Sequence, residues 1–183
     1  MSQPRRPVDE RYLRNAINRY LDRWFTSSPH LHRLMMERVR ASASLYGTDP
    51  VEGEAMLRRV IADLVERGVL DDRGYARARA QVLRQRGASE RAVRASLAEK
   101  GLRGPLIDEV LAEVDGEEAV DSELLAAITW ARKRGLGPYR TGQREEHRQR
   151  DLGRMGRKGF SYAVASKVLS AQDPEALEAL LER

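Results

Sequence analysis

The 183-residue sequence contains no cysteine. That excludes disulfides and cysteine-held zinc, and it fits a reducing compartment. Aromatic residues make up only 5% of the chain, too few for one thick globular core and better suited to thin helical layers. No apolar run approaches the roughly 20 residues that span a bilayer. The opening MSQPRRPVDE lacks the apolar segment of a secretory signal and reads as a short flexible arm. The chain is therefore expected in the cytoplasm, without a membrane partner. Val, Ile and Thr are sparse and period-two alternation is rare, so strands are not expected.

Arg, Ala, Leu and Glu are abundant, and apolar residues recur at helical spacing. The reading is all-α. Net charge is +5 with a pI near 9.8, which favours an acidic partner. The charge is blocked. Between Arg73 and Arg94 stand seven arginines and one acid, Glu90; between Asp108 and Glu123 stand eight acids and no base; between Arg132 and Lys158 stand ten bases and three acids.

Helix punctuation follows from caps and breakers. A first helix is expected over about Asp9 to Trp24, with Leu13, Ile17, Tyr20, Leu21 and Trp24 on one stripe. Ser28 reads as the next N-cap, with Pro29 at the first helical position. A third helix carries Met56, Val60, Ile61, Leu64 and Val65 and ends at Gly68. In LDDRGYARARA, residues 70–80, Asp71 reads as an N-cap and Asp72 as a first-turn carboxylate favoured by the helix dipole. Adjacent residues diverge by about 100° around a helix, so capping is preferred over a catalytic or metal pair. Ser89 caps the next helix, Gly101 ends it, and Pro105 opens another.

The pattern repeats. Leu97-x-x-x-Gly101-Leu102 precedes Val110-Leu111, and Met155-x-x-x-Gly159-Phe160 precedes Val168-Leu169. This predicts three tandem three-helix repeats in an elongated, curved body: an arm over 1–9, repeats over 10–70, 71–116 and 117–172, and a short C-terminal helix over 173–183. Units this small are expected to stack.

The segment from Val60 to Leu102 resembles the RecX family through Gly68, Leu70, Asp71, Asp72, Tyr75, Ala76, Leu97 and Gly101. Gly159 and Phe160, in GFSY, add the family's C-terminal element. The resemblance covers about residues 10–170. It implies a monomeric regulator that binds the RecA recombinase, or its filament on single-stranded DNA, and inhibits its ATPase and strand exchange. It implies no enzyme and no cofactor. The other reading is a basic helical module that binds single- or double-stranded DNA directly through phosphates, whatever its sequence; the scarcity of aromatics argues against strong stacking on single strands.

Contact candidates fall in two patches. Arg73, Arg77 and Arg84 share a helix face, with Tyr75, Val82 and Leu83 mostly opposite; Arg86, Arg91 and Arg94 extend it. Arg150, Arg154, Arg157 and Lys158 form the second patch with Arg132 and Lys133, although cations at a helix C-terminus also suit the dipole. The first patch also reads as a solvated face balanced by the acidic block. Gly153-Arg-Met-Gly156 is not a KH loop without strands. His30, His32 and His147 are expected at the surface and lack metal-ligand spacing. No catalytic triad or metal site is expected.

Overall fold

A computed structural model describes residue 4, residues 6–116 and residues 119–179. Residues 1–3 and 5 of the expected arm, 117 and 118 of the acidic block, and 180–183 of the expected last helix lie outside the described residues. The fold is all-helical. In chain order come α1 (Glu10–Leu21), α2 (Ser28–Tyr46), α3 (Pro50–Glu66), α4 (Asp72–Gln85), α5 (Glu90–Glu99), α6 (Gly104–Asp115), α7 (Ala119–Arg134), a single 3-10 turn (Gly137–Tyr139), α8 (Arg144–Lys158), α9 (Tyr162–Ser170) and α10 (Pro174–Glu178).

The chain divides into two compact units. Unit 1 is Met1–Ala76 with Lys100–Leu102; unit 2 is Arg77–Glu99 with Arg103–Arg183. Each has its own core. In unit 1, Leu13 and Ile17 of α1, Leu31, Met35 and Val39 of α2, and Leu57, Val60 and Leu64 of α3 pack together with Leu70. These are i, i+3, i+4 positions, the stripe that an amphipathic helix must bury. In unit 2, Leu124, Ala127 and Ile128 of α7 meet Met155 of α8, Val168 and Leu169 of α9, Phe160, Leu136 and Leu177.

Several boundaries and faces differ from expectation. α1 ends at Leu21, and Trp24 is 61% exposed, so it is no part of the apolar stripe. The N-cap of α2 is Ser27, with Ser28 already helical. Val65, Val82 and Leu125 are exposed, because each lies a step of about 100° off its helix's buried line. The three histidines are partly buried at the surface. The last residues of the expected arm belong to the fold: the Val8 N–H donates to Ser42 Oγ at 2.9 Å, and Asp9 caps α1 through the Tyr12 N–H.

Asp71 does cap. Its carboxylate accepts from the Gly74 N–H at 2.9 Å. Asp72 does something that its helix position did not announce. It accepts from both the Ser28 N–H and Ser28 Oγ at 2.6 Å, and so closes the N-terminus of α2, 44 residues earlier. Beside it, the fully buried Ser27 Oγ donates to the Lys100 carbonyl at 2.7 Å. Gly101 faces Pro29, and a Cβ there would stand 2.6 Å from the proline Cβ.

Unit 2 contains the same joint. The buried Ser89 Oγ donates to the Lys158 carbonyl at 2.8 Å and accepts from the Ala92 N–H. The next N–H, that of Glu90, donates to Glu123 at 2.9 Å. Gly159 faces Ser89 and Arg91 as Gly101 faces Pro29. In both places a buried serine opens a helix. It bonds the carbonyl before a C-terminal glycine, and a distant carboxylate takes the following N–H. Orphan donors of one helix and orphan acceptors of another are satisfied together.

A cationic candidate binding surface

The two arginine patches separate, residue by residue, into cations engaged inside the fold and cations facing solvent. Arg84 belongs to the first group. Its side chain is 9% exposed and its guanidinium bonds Asp115, Glu123 and the Ala88 carbonyl. Burial opposes its charge, and the bonds to Asp115 and Glu123 more than offset that, so its pKa is raised. Arg84 therefore does not share an open face with Arg73 and Arg77, and the acidic block that balances it is partly internal. Arg94 is held by Glu90 at 2.7 Å and by Asp108. Arg132 pairs with Glu178 at 2.9 Å and lies over the Tyr139 ring.

Arg77, Arg86, Arg150 and Arg157 are exposed and make no ion pair among the described residues. Arg73 is exposed at the start of α4, in unit 1, and has contacts of its own. Arg154 reaches Asp151 only at 3.7 Å, and that carboxylate is already clamped by Arg140 at 2.8 Å.

The turn between α4 and α5 gathers several of the open cations of unit 2. Gly87 lies so close to α7 that a Cβ would stand 2.8 Å from the Trp130 N and 2.9 Å from the Ala126 carbonyl. Lys133 Nζ donates to the Arg86 carbonyl at 3.3 Å. On the other side of the turn, Arg91 donates to the Gly156 carbonyl at 3.2 Å, next to Arg157 and Lys158. A cleft of about 380 Å³ beside it is lined by Trp130, Arg134, Arg154, Arg157 and Lys158. No carboxylate is among its lining residues. Trp130 is partly buried and tilted on Phe160, with ring centroids 6.2 Å apart. Sequence reading named most of these cations as contact candidates, but set Trp130 among the apolar positions of the third repeat and Arg134 at the end of that helix without counting either as a contact. The interleaving of Trp130 with Arg132, Lys133 and Arg134 was the available signal.

The family-motif residues have structural places. Leu70, Tyr75 and Ala76 are buried in unit 1, Leu97 and Phe160 in unit 2; Gly68, Gly101 and Gly159 take positive φ. Among the described residues no group of three or more His, Asp and Glu side chains could hold a metal ion, and no helix is long and apolar enough to cross a membrane.

Fold and surface together define a class: a basic, all-helical protein in which many acids serve as caps and ion-pair partners and several arginines stand open to solvent. Comparison with known proteins gives the family. The Regulatory protein RecX of Myxococcus xanthus is 38% identical over 172 residues, covering 92% of this chain and 90% of its own. That of Agrobacterium fabrum is 26% identical over 170 residues, covering 92% and 88%, and that of a Mycobacterium species is 31% identical over 147 residues, covering 76% and 78%. The chain belongs to the RecX family. These relatives are named as regulatory proteins, not as enzymes. No protein-family model matches the chain. No solved structure matches it either.

Proposed function

We propose that this protein is a cytoplasmic, monomeric modulator of the RecA recombinase, which binds the recombinase filament on single-stranded DNA and inhibits its ATPase and strand exchange. The observation that carries the reading is membership of a regulatory family over almost the whole chain. The cations gathered around the α4–α5 turn support it chemically. Arg86, Arg91, Arg154, Arg157 and Lys158 offer guanidinium and ammonium groups to acidic recombinase side chains or to filament phosphates, and arginine pairs with both through two parallel hydrogen bonds. Inhibition is then mechanical: a bound modulator bridges recombinase subunits and holds them against the motion that turnover needs. The division into three tandem three-helix repeats belongs to the same proposal.

The test is the DNA-dependent ATPase of the cognate recombinase, titrated with this protein after filaments have formed. Inhibition below one modulator per recombinase is expected. It should be lost when Arg86, Arg91 and Arg157 are changed to Glu together, with helicity unchanged. No effect of the unaltered protein on the ATPase overturns the reading.

A further inference from the structure

The sequence RYLDRWF, residues 19–25, ends α1 and leaves two large aromatics in solvent. Trp24 is 61% and Phe25 64% exposed, an unusual state for neighbouring aromatic residues in a chain with so few. The helix ends at Leu21, but the Trp24 N–H still donates to the Tyr20 carbonyl at 3.0 Å, which ties Trp24 to the last turn of α1. Arg19 and Arg23 stand four residues apart, as do Tyr20 and Trp24. Arg19 and Tyr20 on the last turn of α1 and Arg23 and Trp24 just past it thus bring cations and rings to one place. They line a cleft of about 250 Å³, closed by Ala16, Met35 and Arg38, with no carboxylate among its lining residues. Arg19 and Arg23 are exposed and make no ion pair among the described residues. Phe25 is held edge-on against the buried Tyr75, with centroids 5.3 Å apart, so its position is fixed by the core of unit 1.

Helix-dipole stabilisation explains a cation near the end of α1. It does not explain an exposed tryptophan beside it. An acidic peptide would satisfy Arg19 and Arg23 and leave the rings uncovered. An apolar protein surface would cover the rings and bury unpaired charge, which is unfavourable. A nucleotide of a single strand satisfies rings and cations together, its base stacked on an aromatic face and its phosphate on a guanidinium. In a duplex the base faces are already stacked and cannot reach Trp24.

We propose that the Trp24 cleft of unit 1 is a contact site for single-stranded DNA, with an unpaired base stacked on Trp24 and the adjoining phosphates held by Arg19 and Arg23. This goes beyond the recombinase reading and does not rest on it. The site works on DNA alone.

The test uses the full-length protein without recombinase. A fluorescently labelled oligo(dT) is titrated and its anisotropy followed for the unaltered protein, Trp24→Ala, and Arg19→Glu with Arg23→Glu. In a Trp130→Phe background, Trp24 is the one remaining tryptophan and its own emission reports stacking. The expected results are quenching of Trp24 by oligo(dT) and roughly tenfold weaker binding by Trp24→Ala, the size of one lost stacking contact. Because Trp24 is exposed, circular dichroism of that variant should be unchanged. Three results overturn the proposal: oligo(dT) affinity unaltered by Trp24→Ala, duplex of the same length bound as tightly as the single strand, or poly-glutamate quenching Trp24 as strongly as oligo(dT). The last would assign the cleft to an acidic protein segment. None of these outcomes bears on whether the ATPase of a recombinase is inhibited.

Discussion

Asp71 and Asp72 show how much depends on which way one carboxylate points. Both were expected to serve the start of α4, and only Asp71 does; Asp72 reaches back to Ser28. Changing either to Ala should lower the unfolding free energy by about 1–2 kcal/mol in urea titration, the usual effect of removing a cap. Asp72→Ala should release α2 and Asp71→Ala should not, which amide exchange at Ser28 would separate. Arg84 is more demanding. Its partner Asp115 is 5% exposed, so Arg84→Ala leaves a buried carboxylate without its partner and should destabilise by about 3–5 kcal/mol. Neither position was legible in full, because a helical wheel gives direction about its own axis and says nothing of which other helix lies there. The acidic block was a real hint: two of its members, Asp115 and Glu123, are the carboxylates that hold Arg84. His32 adds a pH dependence. Burial is the main cause that lowers its pKa from the ordinary 6.5; Arg58 and Arg40 also lower it and Glu54, 3.9 Å away, raises it. The unfolded chain then binds the proton more readily than the folded one. Stability should be full above pH 6.5 and fall as pH drops through the lowered folded-state value. His32→Gln should flatten that stretch of a stability-versus-pH curve. The separate loss from Glu54 and Asp63, whose pKa values are lowered chiefly by hydrogen bonds from Arg58 and Arg14, should remain at more acid pH.

At the scale of elements, periodicity was a sound guide to where helices run and a poorer guide to their last turns. α3, α5, α6 and α9 bury the residues expected of them: Val60 and Leu64, Val93 and Leu97, Ile107, Val110 and Leu111, Val168 and Leu169. Trp24 escaped because hydrophobicity alone cannot tell a core ring from an exposed one at the end of a helix. The paired serine–glycine joints escaped for another reason. Their partners are far apart, and the carboxylate that completes each is an aspartate in one and a glutamate in the other, at different distances along the chain. Gly101 and Gly159 nonetheless stood out as repeat markers. They hold positive φ and lie against Pro29 and Ser89. Alanine at either position meets both backbone strain and a collision, so each variant should be destabilised by about 1–3 kcal/mol on chemical denaturation. Ser89→Ala should cost more than Ser27→Ala, since Ser89 both bonds the Lys158 carbonyl and caps the Ala92 N–H, whereas Ser27 bonds the Lys100 carbonyl alone.

For the whole molecule, charge is the property that composition stated most plainly, and the structure refines what it means. A pI near 9.8 does not describe a uniformly basic surface. Part of the positive charge is neutralised within the fold by Asp115, Glu123 and Asp151, and part of the remainder is open around the α4–α5 turn and at the end of α1. Binding to a recombinase filament should therefore weaken steeply with added salt, as phosphate and carboxylate contacts do. The Arg86, Arg91 and Arg157 to Glu variant should show a shallower slope of log affinity against log salt than the unaltered protein. Arg77→Glu alone should move it less, because it removes one cation and Arg77 is not among those gathered at the α4–α5 turn.

The joints also set a timetable for the ribosome. Ser27 waits for a carbonyl 73 residues further on, and Ser89 for one 69 residues further on. At about 5–20 residues per second, the start of α2 must remain open for roughly 4–15 seconds while the chain that will close it is still being made. Each helical layer is thus finished by the one synthesised after it. A nascent chain halted before Lys100 should expose its second helix to proteases at Ser27, and one extended well past Gly101 should not.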